Sequence, residues 1–152
     1  MLLLVSQLQN LLLLGTGLLL IVANYACRHV TDAVSLPLVS KTFPNLTLGA
    51  FSDDAVYTLQ DVDALLSYAK DRGVRVVLEL DMPGHNWAYS VAFPHLFANC
   101  SSLKGLPIQT EFWQDAFDPT QPELYQFLEA LLKEMALRFP DSVMHLGGVS
   151  TQ

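Results

Sequence analysis

Residues 74–85 (VRVVLELDMPGH) constrain the fold of this chain more than any other stretch. A continuous apolar run of strand length ends in Asp81, a Pro83-Gly84 turn and His85, so a buried parallel strand delivers two ionisable groups to the loop at its tip. In βα-repeat proteins the carboxyl end of the strand is where chemistry sits. Two further segments repeat the logic: one short apolar strand ends near Asp32, and another runs from Val143 to Gly148. Together they predict part of a barrel wall.

Helical signals fall between the strands. Thr58 caps a helix, with Asp61 three residues on and Val62, Leu65, Leu66 and Ala69 on one face, and Gly73 ends it. Strand, helix and strand then form a βα repeat, for which a right-handed crossover is expected. Thr120-Gln121-Pro122-Glu123 reads as a capping box with proline in the first turn. It opens a helix with Leu124, Phe127, Leu128, Leu131, Leu132 and Met135 on its apolar face, stopped by Phe139-Pro140. The connection after Asp32 spans about 25 residues, a length typical of functional loops. Residues 87–117 show no sustained period and read as a second long ordered loop, with Trp87 and Trp113 as core aromatics.

Composition narrows the function. A formal net charge of −7 with eight scattered basic residues argues against a nucleic-acid partner, which needs clustered cations to neutralise phosphates. The sequence has no phosphate-cradling glycine loop, CxxC pair or His/Cys cluster at metal spacing, so neither a cofactor nor a metal ion is expected. The 152 residues suffice for one globular domain with a core. Cys27 and Cys100 lie far apart, which leaves a disulfide and two free thiols both open. Asn45-Leu46-Thr47 and Asn99-Cys100-Ser101 fit the N-glycosylation pattern, which matters only in a secretory compartment. Residues 1–26 are leucine-rich, with an apolar core from Leu11 to Ala23 broken by Gly15-Thr16-Gly17, short for a transmembrane span and closer to a signal core. No Lys or Arg precedes that core and no clean small-x-small site precedes Cys27, so a buried helix or strand is an equal reading. Membrane association through residues 2–26 is not favoured.

Taken in order and spacing, residues 29–32 (HVTD), 43–46 (FPNL), Tyr57-Thr58, 72–76 (RGVRV), 79–85 (ELDMPGH) and 145–148 (HLGG) resemble the β-N-acetylhexosaminidases of glycoside hydrolase family 20. The resemblance covers residues 29–148. It divides the chain into an apolar, signal-like or non-native segment, 1–28, and a partial glycosidase catalytic domain, 29–152. It implies an α/β fold: a partial (β/α)8 TIM barrel of about three βα units, the second to fourth, that does not close. The implied partners are glycoconjugate or chitooligosaccharide ends bearing terminal N-acetylglucosamine or N-acetylgalactosamine. Family members cleave these with retention, the acetamido oxygen of the sugar attacking its own anomeric carbon. The implied location is the secretory pathway, lysosomal or extracellular.

In the family an Asp-Glu pair directly after the Gly-Gly orients the acetamido group and supplies the general acid. Here Val149-Ser150 stand in those positions. Neither residue replaces the pair, so a general-acid contribution of roughly 10²- to 10⁴-fold is lost. The family's first-strand arginine and pocket aromatics have no counterpart either. Asp32 and His85 match the Asp and His that form a hydrogen-bonded chain to the catalytic Glu, tuning its proton affinity. Read without the resemblance, Asp32 is a helix or turn cap and His85 a turn histidine bonded to backbone. Asp81 and His145 are expected to make supporting hydrogen bonds behind the site or in the core. The family often pairs a cysteine at the place of Cys100 with one beyond the Asp-Glu pair, which implies a free thiol at Cys100.

Val-Ser is also what translation through a GTAAGT or GTGAGT splice donor yields after the Gly148 codon. Cys27-Arg28, encoded TGC-AGG, would hold an acceptor AG where the family usually has Trp. Residues 1–28 and 149–152 are therefore expected to be intron-derived, flanking exons for 29–148. The leading expectation is an inactive fragment of an exo-β-N-acetylhexosaminidase. The alternatives are a non-catalytic sugar-binding or regulatory pseudoenzyme and a membrane-anchored interaction protein. Uncovered helix faces and sheet edges predict an aggregation-prone or partly molten isolated chain.

Overall fold

The computed structural model describes residues 25–98 and 116–148. Strands β1 (Tyr25–His29), β2 (Arg75–Met82) and β3 (His145–Gly147) form one parallel sheet in the order β1-β2-β3. Helix α1 (Leu59–Lys70) connects β1 to β2, and helices α2 (Trp87–Ala92) and α3 (Pro122–Arg138) lie between β2 and β3. Two 3-10 turns, Pro44–Gly49 and Pro94–Leu96, punctuate the loops. Consecutive βα units side by side in a parallel sheet make an arc of barrel wall, open at both edges among the described residues.

Alternation along β2 separates two faces. Val76, Leu78 and Leu80 enter the apolar core with Val62 and Ala69 of α1 and with Leu124, Phe127, Leu131 and Met135 of α3. Those helix residues are the faces expected from the periodicity, and each large side chain so buried contributes about 1.5–3 kcal/mol. Phe127 gathers the loops, its ring centroid 4.7 Å from Phe43, 4.9 Å from Phe93 and 6.1 Å from Tyr89. Val77, Glu79 and Asp81 alternate toward the other side of the sheet.

Local chemistry sets the helix ends. The box at Thr58 forms as expected: Asp61 N–H donates to Thr58 Oγ1 (3.2 Å) and Thr58 N–H to Asp61 Oδ2 (2.9 Å). Gly73 follows α1 in the left-handed conformation (φ 67°), and Phe139, extended at φ −92° and ψ 123° ahead of Pro140, stops α3. The box expected at Thr120 does not form. Thr120 Oγ1 and N–H both donate to Asp118 Oδ1 (2.7 and 2.9 Å), and the side chain of Gln121, the N-cap of α3, accepts no bond from the helix's first amides. A carboxylate two residues upstream captures the threonine in a local turn.

Two further expectations change. The stretch read as loop from 87 carries α2, whose six residues bury Ala88, Tyr89 and Ser90 but are too few to register a 3.6-residue period; Trp87, half-buried, is its first residue. The strand read from Val143 as buried starts at His145, and His145 and Leu146 are exposed, because β3 has only β2 as a described neighbour. On the other edge, Tyr25, Ala26, Cys27 and Arg28 of β1 pair with Arg75, Val76, Val77 and Leu78 of β2. The leucine-rich residues 1–24, Asn99, Cys100, Trp113 and Val149-Ser150 lie outside the described residues. No described helix is long and apolar enough to cross a membrane.

Candidate active site

The carboxyl ends of the three strands meet around Asp81. The residue is 3% exposed, and its backbone N–H donates to the buried Thr31 Oγ1 (2.7 Å), which ties β2 to the end of β1. Oδ1 of Asp81 is buried without a hydrogen-bond partner among the described residues. It faces the tip of β3, where a Cβ added to Gly147 would fall 1.7 Å away. Gly147 (φ 66°) and Gly148 (φ 99°) are both left-handed, so this tip combines a conformation and a clearance that only glycine provides.

Beyond Met82 the chain passes through a cis Met82–Pro83 peptide and buried Gly84 to His85, which is exposed and left-handed (φ 57°). That conformation is uncommon outside glycine and characteristic of constrained functional turns. Asp32 sits three residues past β1 and is exposed. Its Oδ1 accepts the Ala33 N–H (2.6 Å), and its backbone exchanges bonds of 3.1 and 3.3 Å with Ser35, as in a turn cap. Asp32 and His85 thus occupy loops at the same end of adjacent strands, but no hydrogen bond or ion pair among the described residues joins them.

A polar cluster lines the sheet face away from the helices. Glu79 Oε1 lies 3.1 Å from His29 Nδ1 and 3.4 Å from His145 Nδ1, and Cys27 Sγ donates to Oε2 at 3.2 Å. One carboxylate therefore contacts all three strands. Burial works against its ionisation, but the Cys27 bond and both imidazoles outweigh burial and hold it below the usual carboxylate range. Desolvation and that same carboxylate push the Cys27 thiol up to about 11, which makes it a poor nucleophile at neutral pH. His145 Nδ1 also accepts the Gly147 N–H (3.1 Å). Nowhere among the described residues do three His, Cys, Asp or Glu side chains have a metal-holding arrangement.

The structure brings Asp81 and His145 to the β3 tip, Asp81 through packing and His145 through the Gly147 amide. Sequence reading missed Thr31, Glu79 and Glu134. Period-two alternation marks Glu79 as sharing the Asp81 face, which was the available signal. Glu134 on α3 accepts from Ser40 Oγ (2.6 Å), Lys41 N–H (2.7 Å) and Thr42 N–H (3.0 Å), and so fixes the β1–α1 loop that carries Asp32. What the arrangement does chemically is hold a desolvated carboxylate against the backbone that leads to positions 149–150.

Comparisons with known proteins agree with the partial-barrel fold. The profile of the glycosyl hydrolase family 20 catalytic domain matches residues 22–151. Beta-hexosaminidase subunit A1 of Dictyostelium discoideum is 36% identical over 124 residues, covering 79% of this chain and 22% of that protein. The beta-N-acetylhexosaminidase of Bacteroides fragilis superimposes with a TM-score of 0.68 at 30% identity, over 84% of this chain and 26% of the other. A Streptomyces plicatus beta-hexosaminidase mutant, solved with its product GlcNAc, gives 0.66 at 25% identity over 81% and 26%. The chain thus spans about a fifth of the length of the curated relative and about a quarter of the solved ones. Its three parallel strands and the helices between them are an unclosed part of a TIM barrel, and the chain belongs to glycosyl hydrolase family 20.

Proposed function

We propose that this chain is a segment of an exo-β-N-acetylhexosaminidase, an enzyme that removes terminal N-acetylglucosamine or N-acetylgalactosamine from glycoconjugates or chitooligosaccharides by substrate-assisted, retaining catalysis. The observation that carries the reading is Asp81, a buried carboxylate packed against Gly147 where β2 and β3 end. In the parent site Asp32 and His85 tune the acid, while Asp81 and His145 position the β3 tip that presents it. With Val149-Ser150 in place of the acid pair, the chain as given is inactive. Its sequons at Asn45 and Asn99 support a secretory, lysosomal or extracellular location.

The test is to incubate the chain with a chromogenic N-acetyl-β-glucosaminide and, separately, to titrate N-acetylglucosamine into labelled protein by NMR. No turnover and no saturable binding is the expected result. Turnover overturns the reading. Saturable binding without turnover replaces it with a sugar-binding pseudoenzyme, the alternative that Val149-Ser150 favours.

A further inference from the structure

The turn Pro44–Gly49 has two faces. Residues three apart eclipse one another in a 3-10 helix. Leu46 and Gly49 accordingly form the buried face, while Asn45 and Leu48 share the outer one. Leu48 is 62% exposed, and the same loop also exposes Phe51, at 81%, and Val34, at 56%. Two hydrogen bonds hold these residues together: Phe51 N–H donates to Ser35 Oγ (3.2 Å), and Leu36 N–H to Gly49 O (2.9 Å). Leu48 therefore shares the outer face of the turn with the amide of the sequon Asn45-Leu46-Thr47, and the segments that carry Phe51 and Val34 are tied to that turn.

We infer that Asn45 carries an N-linked glycan whose first sugars cover Leu48 and Phe51. The inference rests on the secretory reading above. A pyranose ring presents a face of C–H groups that packs on leucine and phenylalanine side chains, removing apolar surface from water while its hydroxyls stay hydrated. Thr47 supplies the hydroxyl at the third sequon position, and its Oγ1 makes a long 3.5 Å contact to Pro44 O. Leu46, between them, is 1% exposed, so the transfer takes place before this turn docks, and the modified side chain stays outside afterwards. In the transfer the Asn45 amide nitrogen bonds to the anomeric carbon of a lipid-diphosphate-linked oligosaccharide. The bond from that carbon to the diphosphate oxygen breaks, the lipid diphosphate leaves with the electron pair, and the amide releases one proton.

The experiment expresses the full chain in secretory cells in two forms, as given and behind a cleavable secretion signal, and reads intact mass before and after peptide N-glycosidase. One glycan mass is expected to disappear in Asn45→Gln and in Thr47→Ala and to persist in Thr47→Ser. A glycan on the Asn99 peptide with none on Asn45, or no glycan in either form, overturns the inference. A glycan at Asn45 only behind the added signal sustains the site and defeats the secretory reading of the chain itself. For the covering role, deglycosylation is expected to raise the fluorescence of a hydrophobic dye, and the Leu48→Ser and Phe51→Ser double variant to abolish that rise. An unchanged signal on deglycosylation overturns the cover.

Discussion

Asp81 on β2 and Gly147 on β3 leave no room between them for one more carbon, since a Cβ at residue 147 would stand 1.7 Å from Asp81 Oδ1. The separation of two strand tips is thereby set by a carboxylate lying on bare backbone. Gly148, the next residue, has nothing among the described residues within 4 Å of the corresponding position.

That pair of glycines provides its own control. Gly148→Ala is expected to cost only the strain of a left-handed alanine, whereas Gly147→Ala adds the collision and should lose about 1–3 kcal/mol more. Urea titration of amide-exchange protection in β2 measures the difference. In an Asp81→Ala background the excess should shrink, because the colliding group is gone. An equal loss in both backgrounds would place the cost elsewhere.

Thr31→Val keeps the shape of the side chain and removes the acceptor of the Asp81 N–H, a buried bond of 2.7 Å. Leaving that donor unpaired should cost about 1–3 kcal/mol, while Thr31→Ser should keep most of it. The exchange rate of the Asp81 amide is the direct reading.

Glu134 makes the β1–α1 loop sensitive to acid. Burial opposes its ionisation, yet the bonds from Ser40, Thr42 and Lys41 prevail and hold the carboxyl below its ordinary value. A carboxylate lowered by folding stabilises above its unfolded pKa of about 4.3 and loses that contribution as pH falls through the folded value. Protection factors at residues 40–43 should therefore be flat near neutrality and collapse on acidification below that range. Glu134→Gln should lower them at neutral pH and flatten the profile.

The two helix starts should respond differently to the same substitution. Thr58→Ala removes a formed capping box and should cost about 1 kcal/mol of α1 stability. Thr120→Ala should matter less than Asp118→Ala, because Asp118 gathers Thr120 N–H, Thr120 Oγ1 and Gln121 Nε2. Amide exchange in the first turns of α1 and α3 separates the cases.

Legibility in the sequence followed the range of the interactions. The apolar faces of α1 and α3 and the strand around Leu78 and Leu80 repeat within a few residues, so periodicity reveals them. Helix α2 escapes because six residues hold fewer than two turns. The cap at Thr120 was misread because the pattern omits the competing carboxylate of Asp118. Exposure of Leu146 depends on a neighbouring strand, about which the sequence of β3 is silent. The same holds at the site: Asp81 is readable as the end of an apolar run, while its contact with Gly147 and the meeting of His29, Glu79 and His145 join residues 50 to 66 positions apart. Asp32 and His85 are candidates through resemblance to a family, which stores such long-range information in motif order.

The Glu134 anchor also orders events in time. Its three bonds close a loop of 92 to 94 residues, so the segment after β1 cannot set when β1 and α1 have been synthesised. It waits until α3 has emerged and docked, and contacts of such long sequence separation form slowly. The first βα unit of this wall is therefore completed by the helix of the second, and neither matures as an independent module.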